Sequence, residues 1–183
     1  AKKKIVGAEA LCRLAGESGT ISPGEFIPLA EEMELGSKID EIVMGKVCRF
    51  LGQNPDMDLD WISVNISDME RCVAHEQAWL LELLERFGVS NRKIKLEISE
   101  RTMIREPESA LIGLEQLRAR GIAIGMDDFG IGYSNLFSLT YLPLDCVKVD
   151  KSLLDHIVQD LGARELLHTI VKGIQALDKL VLV

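Results

Sequence analysis

The chain contains four short segments in which apolar and polar residues alternate, a pattern typical of β-strands. In the first of them, Ile62 and Val64 alternate with Ser63 and Asn65. The other three segments cover 93–97, 122–127 and 146–150. Because successive side chains of a strand point to opposite faces, each segment has one aliphatic face and one small or polar face. The aliphatic face is suited to packing under a layer of helices.

Helical patterns separate these segments and predict a strand-then-helix order. Ser22, Pro23 and Glu25 predict a capped helix start, with Ser22 as the N-cap and Glu25 closing a capping box. Gly36 interrupts this pattern, and a second helix is predicted from about residue 40 to residue 51.

Capping and terminating residues delimit the later helices. A capping box at 67–70 predicts the start of a helix that ends at Gly88. Pro107 predicts the start of the next helix, and Gly121 predicts its C-cap. The last helix is predicted within 160–178, and an apolar run after it predicts another strand.

The predicted strands share a second property, because each ends on a polar, metal-competent or cationic side chain. A fifth segment near the N-terminus does the same, and the full set is Glu9, Asn65, Glu97, Asp127, Asp128 and Lys148. Repeated strand–helix units predict an α/β fold with a parallel sheet, and such sheets carry their functional groups at the carboxyl ends of the strands. In a closed barrel the polar face lines the lumen, where unpaired acids are costly and a cation stabilises them. Hard carboxylate and amide oxygens suit Mg²⁺ or Mn²⁺, so the pattern predicts a site for a divalent metal and a phosphate.

Composition and charge narrow the class of protein. The 183 residues, of which 47% are hydrophobic, are enough for one folded domain. The net charge of −8 argues against a nucleic-acid polymer or an acidic membrane as the ligand. The four cysteines lack metal-site spacing and are predicted to be reduced core residues of a cytoplasmic protein. The sequence has no signal peptide and no apolar run of membrane-spanning length. A membrane anchor elsewhere in a longer parent protein remains open.

Several short motifs occur in a fixed order along the chain. They are Glu9-Ala10-Leu11 with Arg13, Phe26-Ile27-Pro28, Val64-Asn65-Ile66-Ser67, Leu96-Glu97-Ile98-Ser99-Glu100, Asp127-Asp128-Phe129-Gly130 with Gly132-Tyr133-Ser134, and Lys148-Val149-Asp150. This ordered set closely resembles the EAL-domain family, which comprises bacterial cyclic-di-GMP phosphodiesterases and their inactive relatives.

The resemblance implies a fold and an activity. The fold is a TIM-type (β/α)8 barrel modified by an antiparallel strand. The activity is hydrolysis of one phosphodiester bond of cyclic di-GMP to linear pGpG, with two Mg²⁺ or Mn²⁺ ions in the complete active site.

The resemblance also implies a role for each matching residue. Glu9, Asn65, Glu97 and Asp127 match the metal ligands, and Asp128 matches the acid that completes a second metal position. The other matches are Lys148 near the attacking water, Arg13 at a substrate phosphate, and Glu100, which holds the loop after the aspartate pair.

The chain departs from the family pattern in length and in one loop. It is expected to be a partial EAL domain, 1–183, that lacks the first strand and the C-terminal strand–helix units, so this chain alone is expected to be inactive or nearly so. Ile131 stands where the family usually has threonine or another small residue, which puts the coupling of this loop to the metals in question.

Other interpretations stay open at this stage. A single acid at a strand end often caps the following helix, Lys148 alone fits a salt bridge, and Arg13 alone fits a surface side chain. Glu31 and Glu32 fit a solvated helix face. The alternative function is a catalytically inactive EAL domain that senses cyclic di-GMP or contacts another protein. A homodimer, and attached sensor or GGDEF-type domains in the parent protein, also remain open.

Overall fold

The alternating segments form strands and the helical patterns form helices in the computed structural model, which describes residues 4–17, 19–67, 69–73, 76–105, 108–131, 136–157 and 160–183. The strands are β1 (Gly7–Ala10), β2 (Leu14–Gly16), β3 (Gly19–Ile21), β4 (Trp61–Asn65), β5 (Ile94–Ser99), β6 (Ala123–Phe129), β7 (Cys146–Val149) and β8 (Leu180–Leu182). The α-helices are α1 (Pro23–Glu32), α2 (Gly36–Gln53), α3 (Ala78–Phe87), α4 (Glu100–Arg105), α5 (Glu108–Ala119), α6 (Lys151–Ile157) and α7 (Leu161–Ala176). Short 3₁₀ helices cover Met69–Cys72, Asn91–Lys93 and Leu136–Thr140.

Six of the strands form one sheet in the order β1-β4-β5-β6-β7-β8, and every pairing within it is parallel. Strands β2 and β3 form a separate antiparallel hairpin. The sheet confirms the predicted α/β fold, with the strands and helices of an incomplete TIM-type barrel. The antiparallel strand that the family resemblance implies is not among these six strands.

The aliphatic faces of the strands are buried, as the alternation predicts. Ile62, Val64, Ile94, Leu96, Ile124 and Val147 all belong to one core cluster. Helices cover this face through Met44 and Cys48 of α2, Leu80 and Leu84 of α3, and Leu114 and Leu117 of α5, which are buried in the same cluster. Removal of this apolar surface from water is the main favourable term for the fold.

Two glycines end helices in the way the sequence predicts. Gly88 follows α3 in the left-handed conformation, with φ of 64°, and its N–H bonds to the last turn of the helix. Gly121 lies just beyond α5 with φ of 93°. Glycine has no Cβ, so it adopts these positive φ values without steric cost.

Helix α1 begins at Pro23, directly after Ser22, as predicted, whereas the side-chain cap at Ser22 and two other helix starts were predicted wrongly. The Ser22 side chain does not cap α1, because its hydroxyl donates to Glu25 Oε1 at 2.9 Å instead of accepting from the helix backbone. Helix α2 begins at Gly36, four residues before the predicted start, so Gly36 opens this helix.

The single helix predicted from 67 to Gly88 is the third error, because the segment forms a 3₁₀ turn and then α3. Buried Gln77 explains the break, since its Nε2 donates to the backbone oxygens of Cys72 and Gly113. The predictions at Asp68, Pro107 and 132–135 lie outside the described residues.

The predicted core position of the cysteines is confirmed for Cys48, Cys72 and Cys146, which are buried, whereas Cys12 is half-buried. These four described residues form no disulfide with one another. Among the described residues, no helix combines the length and the apolar character needed to cross a bilayer.

Candidate active site

The strand-end side chains of β1, β5, β6 and β7 converge on one point. The Lys148 Nζ lies 2.8 Å from Glu9 Oε2, 3.4 Å from Glu97 Oε2 and 3.3 Å from Asp127 Oδ2. One carboxylate oxygen from each acid lies within 4.8 Å of the others. The parallel register produces this convergence, because it places the carboxyl ends of adjacent strands at the same edge of the sheet.

Asn65, at the end of β4, completes the cluster. Its Nδ2 donates to Glu9 Oε1 at 3.0 Å. The register pairs Asn65 with Glu97 on β5, so the amide and the buried carboxylate are neighbours at the same height. The set therefore presents three carboxylates, one amide and one ammonium around a common centre.

Burial and charge act against each other in this cluster. Glu97 is only 3% exposed, and burial raises the pKa of its carboxyl although the Lys148 charge opposes the change. Burial also acts on Glu9, but the hydrogen bonds from Lys148 and Asn65 hold the pKa of Glu9 below its ordinary value. Burial lowers the pKa of Lys148, but its hydrogen bond to Glu9 and the charges of Glu97 and Asp127 together raise that pKa above its ordinary value.

Asp128 lies beside this cluster in an unusual backbone conformation. Its φ is 58°, and its N–H donates to Asp127 Oδ1 at 2.8 Å. The pairing of β6 with β7 shifts register between Met126 and Phe129, so the strand is irregular at this point. Partial desolvation and the charges of Asp127 and Asp150 raise the pKa of the Asp128 carboxyl, although the residue as a whole is exposed. Positive φ is uncommon in non-glycine residues, although aspartate adopts it more readily than most, and such conformations cluster at functional sites.

The loop that follows Asp128 is anchored by Glu100, the first residue of α4. Glu100 is buried, and its Oε2 accepts a hydrogen bond of 3.0 Å from the Gly130 N–H. Gly130 has φ of 100°, and a Cβ there would lie 2.2 Å from Leu153 Cδ1, so the loop requires glycine at this position. The resemblance implies that Glu100 holds this loop, and the hydrogen bond from the Gly130 N–H is one contact between them.

Arg13 is a predicted site residue whose described contacts lie outside the cluster of acids around Lys148. Its side chain is exposed, and its guanidinium donates to the backbone oxygen of Cys12 at 2.7 Å. The described contacts do not link it to Glu9 or Lys148. A role for Arg13 at a substrate phosphate therefore stays a prediction.

An open cavity of about 470 Å³ adjoins the cluster. Asn65, Glu97 and Asp128 are among the polar residues that line it. Its apolar lining includes Ala10, Leu11, Pro23, Ile27, Pro28, Ile39 and Val43. Glu31, which the sequence assigned to a solvated helix face, is exposed and also lines this cavity. A cleft of this size with a few convergent polar groups is typical of a small-molecule site.

The sequence model of the EAL domain family matches residues 1–183. The chain belongs to the EAL domain family.

Curated relatives of this EAL domain are longer proteins. MucR of Pseudomonas aeruginosa, named as a bifunctional diguanylate cyclase/cyclic di-GMP phosphodiesterase, is 36% identical over 159 residues, which are 85% of this chain and 23% of MucR. PdeI of Escherichia coli strain K12, named as a probable cyclic di-GMP phosphodiesterase, is 30% identical over 191 residues and spans 96% of this chain and 24% of PdeI. The chain thus spans about a quarter of the length of each relative.

A solved structure has the same fold as this EAL domain. The PaMucR phosphodiesterase in complex with c-di-GMP superposes with a TM-score of 0.83 and 33% sequence identity. The match covers 94% of this chain and 71% of that chain.

The chemistry of the cluster in this EAL domain fits a divalent cation. Three carboxylates and an amide offer hard oxygen ligands at one point. The Ser63 hydroxyl lies on the same polar face of β4, is fully buried, and lowers the pKa of Glu97, yet among the described atoms its oxygen has no partner with hydrogen-bond geometry. Buried polar atoms normally have a partner, so the Ser63 hydroxyl stays available to an additional polar group.

Sequence reasoning missed two residues that shape the site of this EAL domain. Gly125 lies between Glu97 and Cys146 in the register, and a Cβ there would lie 2.8 Å from Cys146 Sγ and 3.5 Å from Glu97 Cγ. Asp40 is buried and lines the cavity. A glycine within a strand and a charge on the apolar stripe of a helix were the available signals.

Replacement of Glu100 by alanine should loosen the loop after the aspartate pair. The Gly130 N–H loses its acceptor, and the orientation of Asp128, two residues earlier, becomes less restricted. We expect apparent Mn²⁺ affinity and turnover to fall together, by roughly tenfold, as for other residues that support a metal ligand. Titration of turnover against Mn²⁺ measures both effects. Glu100→Gln, which keeps an acceptor oxygen, is the matched control, and an unchanged Mn²⁺ dependence in Glu100→Ala would show that the contact does not support the site.

Proposed function

We propose that this EAL domain contributes the active site of a metal-dependent cyclic-di-GMP phosphodiesterase that produces linear pGpG. The observation that carries the proposal is the convergence of Glu9, Glu97 and Asp127 on one point, with Asn65 beside them. The names of MucR and PdeI, and the c-di-GMP bound to the MucR phosphodiesterase, support cyclic di-GMP as the substrate.

Each residue has a proposed task in this reaction. Glu9, Asn65, Glu97 and Asp127 hold one divalent ion, Mg²⁺ or Mn²⁺, and Asp128 contributes to a second position. When bound, such ions neutralise phosphate charge and activate water. The Lys148 ammonium, which contacts three of the acids, keeps positive charge beside the attacking water. Hydrolysis forms one bond from the water oxygen to phosphorus and breaks the bond from phosphorus to the ribose 3′ oxygen, which leaves as the hydroxyl of pGpG.

The cavity beside the cluster supports a nucleotide as the substrate. Its polar lining, which includes Asn65, Glu97 and Asp128, suits a metal-bound phosphate, and its apolar lining, which includes Pro28 and Ile27, suits a base. Bases have flat π-faces and bind to apolar surfaces with little regard for sequence.

We also propose that the working domain extends beyond 1–183 and acts in the cytoplasm. The chain spans 71% of the MucR phosphodiesterase structure, and β1 and β8 are unpaired on their outer sides in the described sheet. MucR is named for two activities, which supports an attached diguanylate cyclase or sensor domain. The absence of disulfides among the four described cysteines fits a reducing compartment.

The test is an assay of cyclic di-GMP with the longest native polypeptide that contains residues 1–183, and with residues 1–183 alone. Products are separated by chromatography with Mn²⁺, with Mg²⁺ and with EDTA, and cyclic di-AMP serves as the substrate control. We expect pGpG from the longer polypeptide with either ion, none with EDTA, and little from residues 1–183. Binding of cyclic di-GMP without pGpG would instead establish a sensor, and the absence of both would leave a protein-interaction domain.

A further inference from the structure

Asp40 is a buried carboxylate outside the metal cluster. It lies in the second turn of α2 and is 3% exposed, among apolar neighbours such as Met44 and Val47 of the same helix. A carboxylate in such a place is costly unless hydrogen bonds compensate the lost hydration. Its oxygens therefore need hydrogen-bond partners within the fold.

Both carboxylate oxygens of Asp40 accept hydrogen bonds from Ser67. Oδ2 accepts from the Ser67 N–H at 3.0 Å, and Oδ1 accepts from the Ser67 hydroxyl at 2.9 Å. Two charge-assisted bonds to one residue restrict its backbone position and its side-chain rotamer together. The contact joins α2 to a segment 27 residues further along the chain.

Ser67 is two residues beyond Asn65, the amide of the metal cluster. Between them, the Ile66 N–H donates to the Glu97 backbone oxygen at 2.8 Å. The segment that leaves β4 is therefore fixed by β5 at Ile66 and by α2 at Ser67. These bonds hold the end of β4 where the Asn65 Nδ2 reaches Glu9 Oε1 at 3.0 Å.

The cavity connects these groups in space as well as along the chain. Asp40, Ser67, Asn65 and Glu97 all line it. Ligands for a metal need to be held within about 0.5 Å of the productive geometry, and supporting hydrogen bonds supply this precision.

We propose that Asp40 is a positioning residue that sets the orientation of Asn65 through Ser67 and thereby supports the metal centre. The inference rests on the proposed function only for the identity of the reaction. The support of Asn65 by Asp40 can be measured without substrate.

Three variants separate the parts of this contact. Asp40→Ala removes both acceptors, Asp40→Asn keeps one acceptor oxygen, and Ser67→Ala removes the hydroxyl and keeps the N–H. We expect the Mn²⁺ dissociation constant, measured by calorimetry without substrate, to rise by roughly 10- to 100-fold in Asp40→Ala and by less in the other two. The matched control is Asp145→Asn. Asp145 also accepts one hydrogen bond from a side chain, Arg118 Nε at 2.7 Å, and one from a backbone N–H, that of Ile124 at 2.9 Å. It differs from Asp40 in its place, directly before β7.

A second measurement is independent of metal and of activity. The Asn65 side-chain amide resonances in metal-free protein should move in Asp40→Ala and stay in place in Asp145→Asn, although both variants lower the melting temperature. If Asp40→Ala does not fold, Asp40→Asn and Ser67→Ala carry the same comparison. Unchanged Asn65 resonances with unchanged Mn²⁺ affinity would overturn the proposal. If the Asn65 resonances move in Asp40→Ala but the wild-type protein hydrolyses no cyclic di-GMP, the role of Asp40 is supported and the proposed reaction is rejected.

Discussion

Asp127→Ala should lower kcat/KM for cyclic di-GMP by at least about 100-fold, because it removes a ligand from the three-carboxylate cluster. The substitution also removes an acceptor for Lys148 and the acceptor of the Asp128 N–H. Metal binding, phosphate neutralisation and the position of the adjacent acid are therefore lost together. The fold should persist, because Asp127 is at the end of β6 and outside the apolar core.

Two matched variants make this prediction specific. Asp127→Asn keeps an oxygen that can accept from the Asp128 N–H and loses only the charge, so a loss of activity as large as that of Asp127→Ala would assign the effect to charge at the metal. Asp155→Ala removes an exposed acid from α6 and should leave kcat/KM within about twofold of wild type. Initial rates at saturating Mn²⁺ give kcat/KM for all three variants. Full activity in Asp127→Ala would place the reaction elsewhere in the molecule.

Lys148→Met should destabilise the metal-free protein and yet strengthen its binding of Mn²⁺. In the structure, the Lys148 ammonium is the cation that contacts Glu9, Glu97 and Asp127. Its removal leaves the three acids without this positive charge. We expect a loss of roughly 1–3 kcal/mol in EDTA, less than for a fully buried pair because the Lys148 side chain is 31% exposed.

Added Mn²⁺ should reverse this loss, because an ion that binds only the folded state stabilises it. The variant should bind Mn²⁺ more tightly than wild type, since no ammonium competes for the same oxygens, while hydrolysis falls because the charge beside the attacking water is gone. Thermal denaturation in EDTA and in Mn²⁺ measures the stability, and calorimetry measures the affinity. Lys172→Met on exposed α7 is the control. Equal stabilisation of wild type and variant by Mn²⁺ would refute competition between Lys148 and the ion.

The pH dependence of the same variant follows from the charges. The pKa of Glu9 is held below its ordinary value of 4.5, so its bond to Lys148 contributes stability above that pH and loses it as pH falls through the lowered pKa. Protonated acids no longer need a cation. The stability difference between wild type and Lys148→Met should therefore be largest near neutral pH and shrink in acid.

Much of the fold followed from local pattern. Alternation at 61–65 and 93–97 predicted strands whose aliphatic faces are buried, and the side chains at their ends predicted the rim on which Asn65 and Glu97 lie. These predictions succeeded because the period of a strand and the polarity of its two faces are properties of neighbouring residues. The ordered motifs also identified the family from the sequence, because the side chains of the shared rim occur at the ends of successive strands.

Other features depended on contacts between distant segments. The helix predicted across Gln77 is interrupted because that side chain bonds to Gly113, 36 residues away. Local propensity is outweighed wherever a tertiary contact satisfies the same polar groups in another way.

The detailed geometry of the site was decided by the tertiary structure. Lys148 contacts Glu9 across 139 residues of sequence, and Asp40 of α2 contacts Ser67 across 27 residues. Asp128 adopts positive φ although aspartate lacks the freedom of glycine. The sequence alone determined which chemical groups reach the rim of the sheet. Strand register, helix packing and the burial of charge decided which of those groups touch, because these depend on how residues far apart in the chain fill one shared volume.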